Sequence, residues 1–113
     1  MSSCVPQELL PKLASLSPYT LVVLRKGPNY ENEDTTGIIQ AEHLPYVFKQ
    51  REEGHMVLTF PIQDQTELAA IGIYNTLDKE LVKSLTVEDP AVKAGVFTYE
   101  IVSGVGLKGD ILP

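Results

Sequence analysis

Residues 19–25, "YTLVVLR", carry apolar side chains on both parities, with Leu21 and Val23 on one face of an extended strand and Val22 and Leu24 on the other. Such a strand needs cover on both faces. The chain has 113 residues, enough for one domain with one core but not for many covering helices. One face of the strand can meet the chain's own helices, and the other needs something else. A second copy of the chain is a natural cover.

The remaining elements follow from periodicity and punctuation. Residues 6–16, "PQELLPKLASL", read as a short amphipathic helix with Pro6 in its first turn and Leu9, Leu10, Leu13 and Leu16 on one side. After the first strand comes a long polar loop, "KGPNYENEDTTG". A helix is predicted over 36–53, where Ala41, Leu44, Val47 and Phe48 share one arc at about 100° per residue, and Gly54 stops it. Pro45 lies inside this span, so the helix kinks or restarts beside it. "HMVLTF" (55–60) and "ELAAIGIY" (67–74) are two strands joined by "PIQDQT". A helix over 77–86 repeats Leu77, Leu81 and Leu85, with Asn75 or Thr76 as its cap. Asp89-Pro90 opens a helical turn that Gly95 closes, and the last strand spans 96–103. Residues 104–113 show no period and read as a tail, either disordered or laid on a partner.

A helix followed by β-α-β-β-α-β specifies an α+β domain: two βαβ halves sharing an antiparallel ferredoxin-like sheet, with both helices on one face. The division is an N-terminal helical extension over 1–18, the ferredoxin-like domain over 19–103 and the tail over 104–113. Val22, Leu24 and the apolar positions of the last strand are expected on or near the bare sheet face. Pairing that face with its own copy makes a symmetric homodimer.

Composition narrows the function. The formal charge is −6, with Arg25-Lys26 the only adjacent basic pair, which argues against a nucleic-acid partner or anionic lipid. No apolar run approaches a membrane span, and the N-terminus does not read as a secretory signal. The single Cys4 cannot form an internal disulfide, so a reducing, cytoplasmic setting is expected. One Cys and the two histidines, His43 and His55, supply no zinc spacing, and no glycine-rich phosphate loop precedes a helix.

Few residues carry recognisable chemistry. His43 lies about 100° from Leu44, just outside the apolar arc, a rim position that suits a working imidazole and equally an ordinary amphipathic residue. Asp89 before Pro90 is a good helix N-cap, which alone explains the dipeptide. Glu88 reads as solvated. Arg25 ends the first strand and can grip a substrate carboxylate in bidentate fashion, or simply be exposed. Asn29 and Tyr30 are weaker pocket candidates. His55, Tyr46 and Tyr99 read as surface or packing residues.

Three stretches, "LVVLRKGPN", "AEHLPYV" and "DPAVKAG" before the last strand, resemble the YciI-like (YCII-related) family over roughly residues 19–103. The resemblance implies a ferredoxin-like dimer enclosing an α+β barrel, and a His–Asp pair at a cleft, here His43 and Asp89. A capping aspartate can meet both demands, with one oxygen on the backbone and the other on an imidazole N–H. The chain departs from the family at Thr59-Phe60-Pro61, where a glycine is often found before the proline; Phe60 is expected to restrict the backbone there and narrow the pocket. The resemblance implies acid–base chemistry that needs no cofactor or metal, an isomerisation or an elimination on a small polar or aromatic compound. A dimeric module that binds such a compound without turnover uses the same cleft and is the competing reading; a purely structural dimer is a third.

Overall fold

A computed structural model describes residues 5–113, so Cys4 lies outside the described residues. A 3-10 turn, Gln7–Leu9, leads into the short helix α1, Leu10–Leu13. The first strand, β1, then runs over Leu16–Lys26. Helix α2, Thr35–Ile38, passes through a π-helical turn, Ile39–His43, into α3, Leu44–Glu52. Strands β2, Met56–Pro61, and β3, Leu68–Tyr74, form a hairpin. Helix α4, Lys79–Val87, and the single-turn helix α5, Pro90–Lys93, precede β4, Phe97–Leu107.

The four strands form one antiparallel sheet in the order β2-β3-β1-β4, which is the ferredoxin-like arrangement. Register assigns the faces. Thr20, Val22 and Leu24 of β1 stand beside Tyr74, Gly72 and Ala70 of β3 and beside Ser103, Ile101 and Tyr99 of β4. Val22, Leu24, Ala70 and Tyr74 are buried with Val47, Val82, Ala91 and Phe97 in one core between sheet and helices. The assignment of Val22 and Leu24 to the bare face is therefore corrected: the helices already cover them. The uncovered face carries the other parity, Leu21, Val23, Ile71, Ile73, Leu58, Phe60 and Val102, none of which is buried.

Three further differences lie at the ends of elements. β1 starts at Leu16, and β4 continues to Leu107, because the two pair from Leu16–Leu107 inward and form a ribbon beyond the end of β3. Glycines at 104 and 106 interrupt the alternation that marks a strand, so the pairing is invisible in the sequence; Tyr19 packs across the space at Gly106 instead. The N-terminal leucines do not find a core, with Leu10 51% and Leu16 44% exposed. Helix α4 begins two residues later than expected. Its cap is Asp78, whose carboxylate accepts from the Leu81 N–H at 3.0 Å, while Thr76 Oγ1 accepts from the Asp78 N–H. No helix among the described residues is long and apolar enough to cross a membrane.

Candidate active site

Pro45 explains the backbone that carries His43. Proline has no N–H and its ring clashes with a carbonyl four residues back. The chain accommodates it by widening into the π turn Ile39–His43, closed by the Leu44 N–H on the Ile39 carbonyl, and α3 restarts with Pro45 in its first turn. Such widened turns occur frequently at functional sites. The face turned to the core is His43, Val47 and Gln50, all buried. Apolar residues alone place the arc about one residue away, centred on Leu44, because two of the three buried positions are polar. His43 is thus not at the rim: it is 6% exposed.

Asp89 reaches His43 from the opposite element. Its Oδ1 accepts from the Ala91 N–H at 2.9 Å, capping α5, and its Oδ2 lies 2.7 Å from Nδ1 of His43. Asp89 is itself 5% exposed. The cap and the imidazole contact are thus both present, one on each carboxylate oxygen. A carboxylate only accepts, so the proton of this contact sits on Nδ1, and in the neutral ring Nε2 carries the free lone pair. Among the described residues Gln50 Oε1 is the sealed side-chain polar atom without a partner, so Nε2 of His43, which also has none, keeps access to the adjoining cavity. Phe97 meets the imidazole edge to face, with ring centroids 5.1 Å apart. Burial, and then the charge of Asp89, raise the Tyr46 hydroxyl above its ordinary range. That hydroxyl donates to the Leu85 carbonyl at 2.6 Å and so ties α3 to α4.

The loop after β1 is clamped to the turn that holds Asp89. Gly27 donates to the Val96 carbonyl at 2.7 Å, and Asn29 donates to the Gly95 carbonyl through its backbone and to the Ala94 carbonyl through its side chain. The approach requires glycine: a Cβ on Gly27 would stand 2.5 Å from the Gly95 carbonyl oxygen, and Gly95 itself has φ +74°. "KGPN" and "DPAVKAG" are therefore two sides of one joint.

The cavity beside His43 has a volume of about 640 Å³, within the range of small-molecule sites. Besides His43 it is lined by Tyr30, Phe97, Val47, Lys26 and the β2–β3 loop, including Gln63 and Asp64. Of the sequence-predicted residues, the structure brings together His43, Asp89 and Tyr30. It does not bring Arg25, Asn29 or Phe60 to this cavity. Arg25 lies on the uncovered sheet face between Glu67 and Glu100, at 3.4 and 3.6 Å. Asn29 serves the joint. Phe60, paired with Ile71, points to the same uncovered face and is 49% exposed. Glu88 is exposed and paired with Lys93. Lys26, Phe97 and the β2–β3 loop were not singled out from sequence; the parity that Lys26 shares with Val22 and Leu24 was the available signal. A second concavity, about 710 Å³, lies where Tyr19, Leu58 and Ile73 of the uncovered face meet the C-terminal residues, and it holds no buried acid–base pair.

Neither a protein-family model nor a curated protein sequence matches the chain. Among solved structures it is similar to 5-chloro-2-hydroxyhydroquinone dehydrochlorinase from Burkholderia phenoliruptrix AC1100, in complex with 2,5-dihydroxybenzoquinone. The TM-score is 0.53 at 18% identity, covering 74% of this chain and 90% of that one. At that identity the likeness is one of fold.

Proposed function

We propose that this protein is a YciI-like acid–base enzyme that moves a proton on a small polar or aromatic compound, by isomerisation or by elimination of a leaving group. The observation that carries the reading is the buried His43–Asp89 contact at 2.7 Å, with the remaining imidazole nitrogen open to a cavity of small-molecule size. Asp89 fixes the ring and the position of its proton, and Nε2 takes a proton from a bound C–H or O–H. Asp89 then stabilises the imidazolium, which returns the proton to another atom of the compound or leaves it to solvent as the leaving group departs. The similar fold belongs to a dehydrochlorinase, which is consistent with the elimination variant. The apolar uncovered face supports a homodimer closed over Leu21, Val23, Ile71 and Ile73, completing a barrel.

The test uses the unaltered protein. Small organic acids and phenols are screened for a rise in melting temperature, and those that bind are followed by the ring resonances of His43, with His55 as reference. In D2O, the carbon-bound hydrogens of each bound compound are then monitored for exchange. Binding that moves His43 but not His55, with catalysed exchange of an acidic C–H, is expected. Binding without exchange across the panel identifies a binding module, and no effect on either melting or His43 overturns the site.

A further inference from the structure

Arg25 and Lys26 are the adjacent basic pair, and strand alternation sends them to opposite faces of the sheet. Arg25 is held by two glutamates on the uncovered face. Lys26 is half-buried on the helix side, directly across from Phe97 in the β1–β4 register. Its Nζ lies 4.9 Å from the centroid of the Tyr30 ring. Tyr30 in turn packs against Phe97 at 6.2 Å, and Phe97 meets His43 at 5.1 Å. All four residues line the same cavity, and Lys26 forms no ion pair among the described residues.

We infer that Lys26 sets ligand specificity, selecting planar compounds that carry a carboxylate or a comparable small anionic group. This inference rests on the reading of the His43 cavity as a small-molecule site. An ammonium over an aromatic face is oriented by the ring's quadrupole, yet keeps N–H donors free for an anion. The anionic group binds Lys26, the ring lies along Tyr30 and Phe97, and the far edge of the ligand meets Nε2 of His43. The other charged side chains on the cavity wall, Glu31, Arg51 and Asp64, are exposed. Glu31 and Asp64 are unpaired with Lys26. Arg51, on α3, also lines the concavity on the other side of the sheet.

Matched carboxylate and carboxamide pairs built on benzene, phenol and catechol rings keep shape nearly constant and change only charge. Titration calorimetry compares them in the wild type, Lys26→Gln, Lys26→Arg and Arg51→Gln. The wild type should prefer the carboxylate of a pair by about tenfold or more, the scale of a charge-assisted hydrogen bond. Lys26→Gln should erase that preference by weakening the carboxylate more than the carboxamide, and Lys26→Arg and Arg51→Gln should retain it. A preference that survives Lys26→Gln, or that disappears in Arg51→Gln instead, overturns the assignment. Equal wild-type affinity for the two members of each pair removes Lys26 as the selector but leaves the cavity reading intact. No binding by any of the six, with no movement of the His43 resonances, overturns both.

Discussion

Asp89→Asn separates the two jobs of this residue in a way the geometry makes quantitative. The wild-type carboxylate has two accepting oxygens, one on the Ala91 N–H at 2.9 Å and one at 2.7 Å from His43 Nδ1. Asparagine has one oxygen and an NH2 group. With the oxygen on Ala91 the cap survives, because asparagine caps about as well as aspartate, so the helical turn loses only a few tenths of a kcal/mol. The NH2 group then faces Nδ1 and donates to it. That moves the ring proton to Nε2, so the nitrogen at the cavity becomes a donor and stops being a base. Asp89→Ala loses both contacts: about 1 kcal/mol for the cap and about 1–3 kcal/mol for leaving the buried Nδ1–H unpaired. Urea denaturation should therefore rank Asp89→Asn near the wild type and Asp89→Ala about 2–4 kcal/mol below it. Nitrogen-15 spectra of the imidazoles should show His43 in the Nδ1–H form in the wild type and in the Nε2–H form in Asp89→Asn, with His55 the same in both. If His43 keeps the same tautomer in Asp89→Asn, the orienting role is refuted and Asp89 is a helix cap only.

The two faces of β1 give opposite responses to the same change. Val22→Asp buries an unpaired charge in a position that is 4% exposed and should unfold the chain, whereas Val23→Asp on the uncovered face should give a folded monomer by sedimentation; a wild type that is already a stable monomer removes the dimer. Burial pushes the Tyr74 hydroxyl up to about 12 from 10.0, so the folded state binds its proton more tightly. That contribution, at most about 3 kcal/mol, is complete below pH 10, the unfolded value, and is lost as pH rises through 12. Urea midpoints between pH 8 and pH 12 should fall less steeply in Tyr74→Phe than in the wild type, and parallel curves refute the assignment.

What could be read from the sequence depended on whether a signal was local. Asp89-Pro90 announces a cap whatever surrounds it, and it is one. Pro45 announces a broken helix, and the chain breaks there by widening. The order of strands and helices specifies the sheet because few topologies satisfy it. Signals that rest on tertiary context failed. Periodicity counts apolar residues, so it could not see that a histidine and a glutamine face the core of α3. Nor could alternation mark the ribbon at residues 104–107, where glycines stand at two of the four positions. Strand parity alone also says nothing about which face the helices take. Val22 and Leu24, expected on the bare face, therefore lie on the helix side.

That single ambiguity decides more than burial. Once Val22 and Leu24 face the helices, Lys26 shares their side and Arg25 does not. The cation that β1 gives to the His43 cavity is then lysine, and the arginine belongs to a surface network with Glu67 and Glu100. Phe60 moves with Arg25, leaving Thr59 and Pro61 to line the cavity wall at β2. The departure of this chain at Phe60 therefore bears on the apolar face and its cover, while Lys26, Tyr30 and Phe97 shape the cavity. Substitutions of β1 should divide accordingly: even-numbered positions from 20 to 26 alter stability or ligand choice, and odd-numbered positions from 21 to 25 alter assembly.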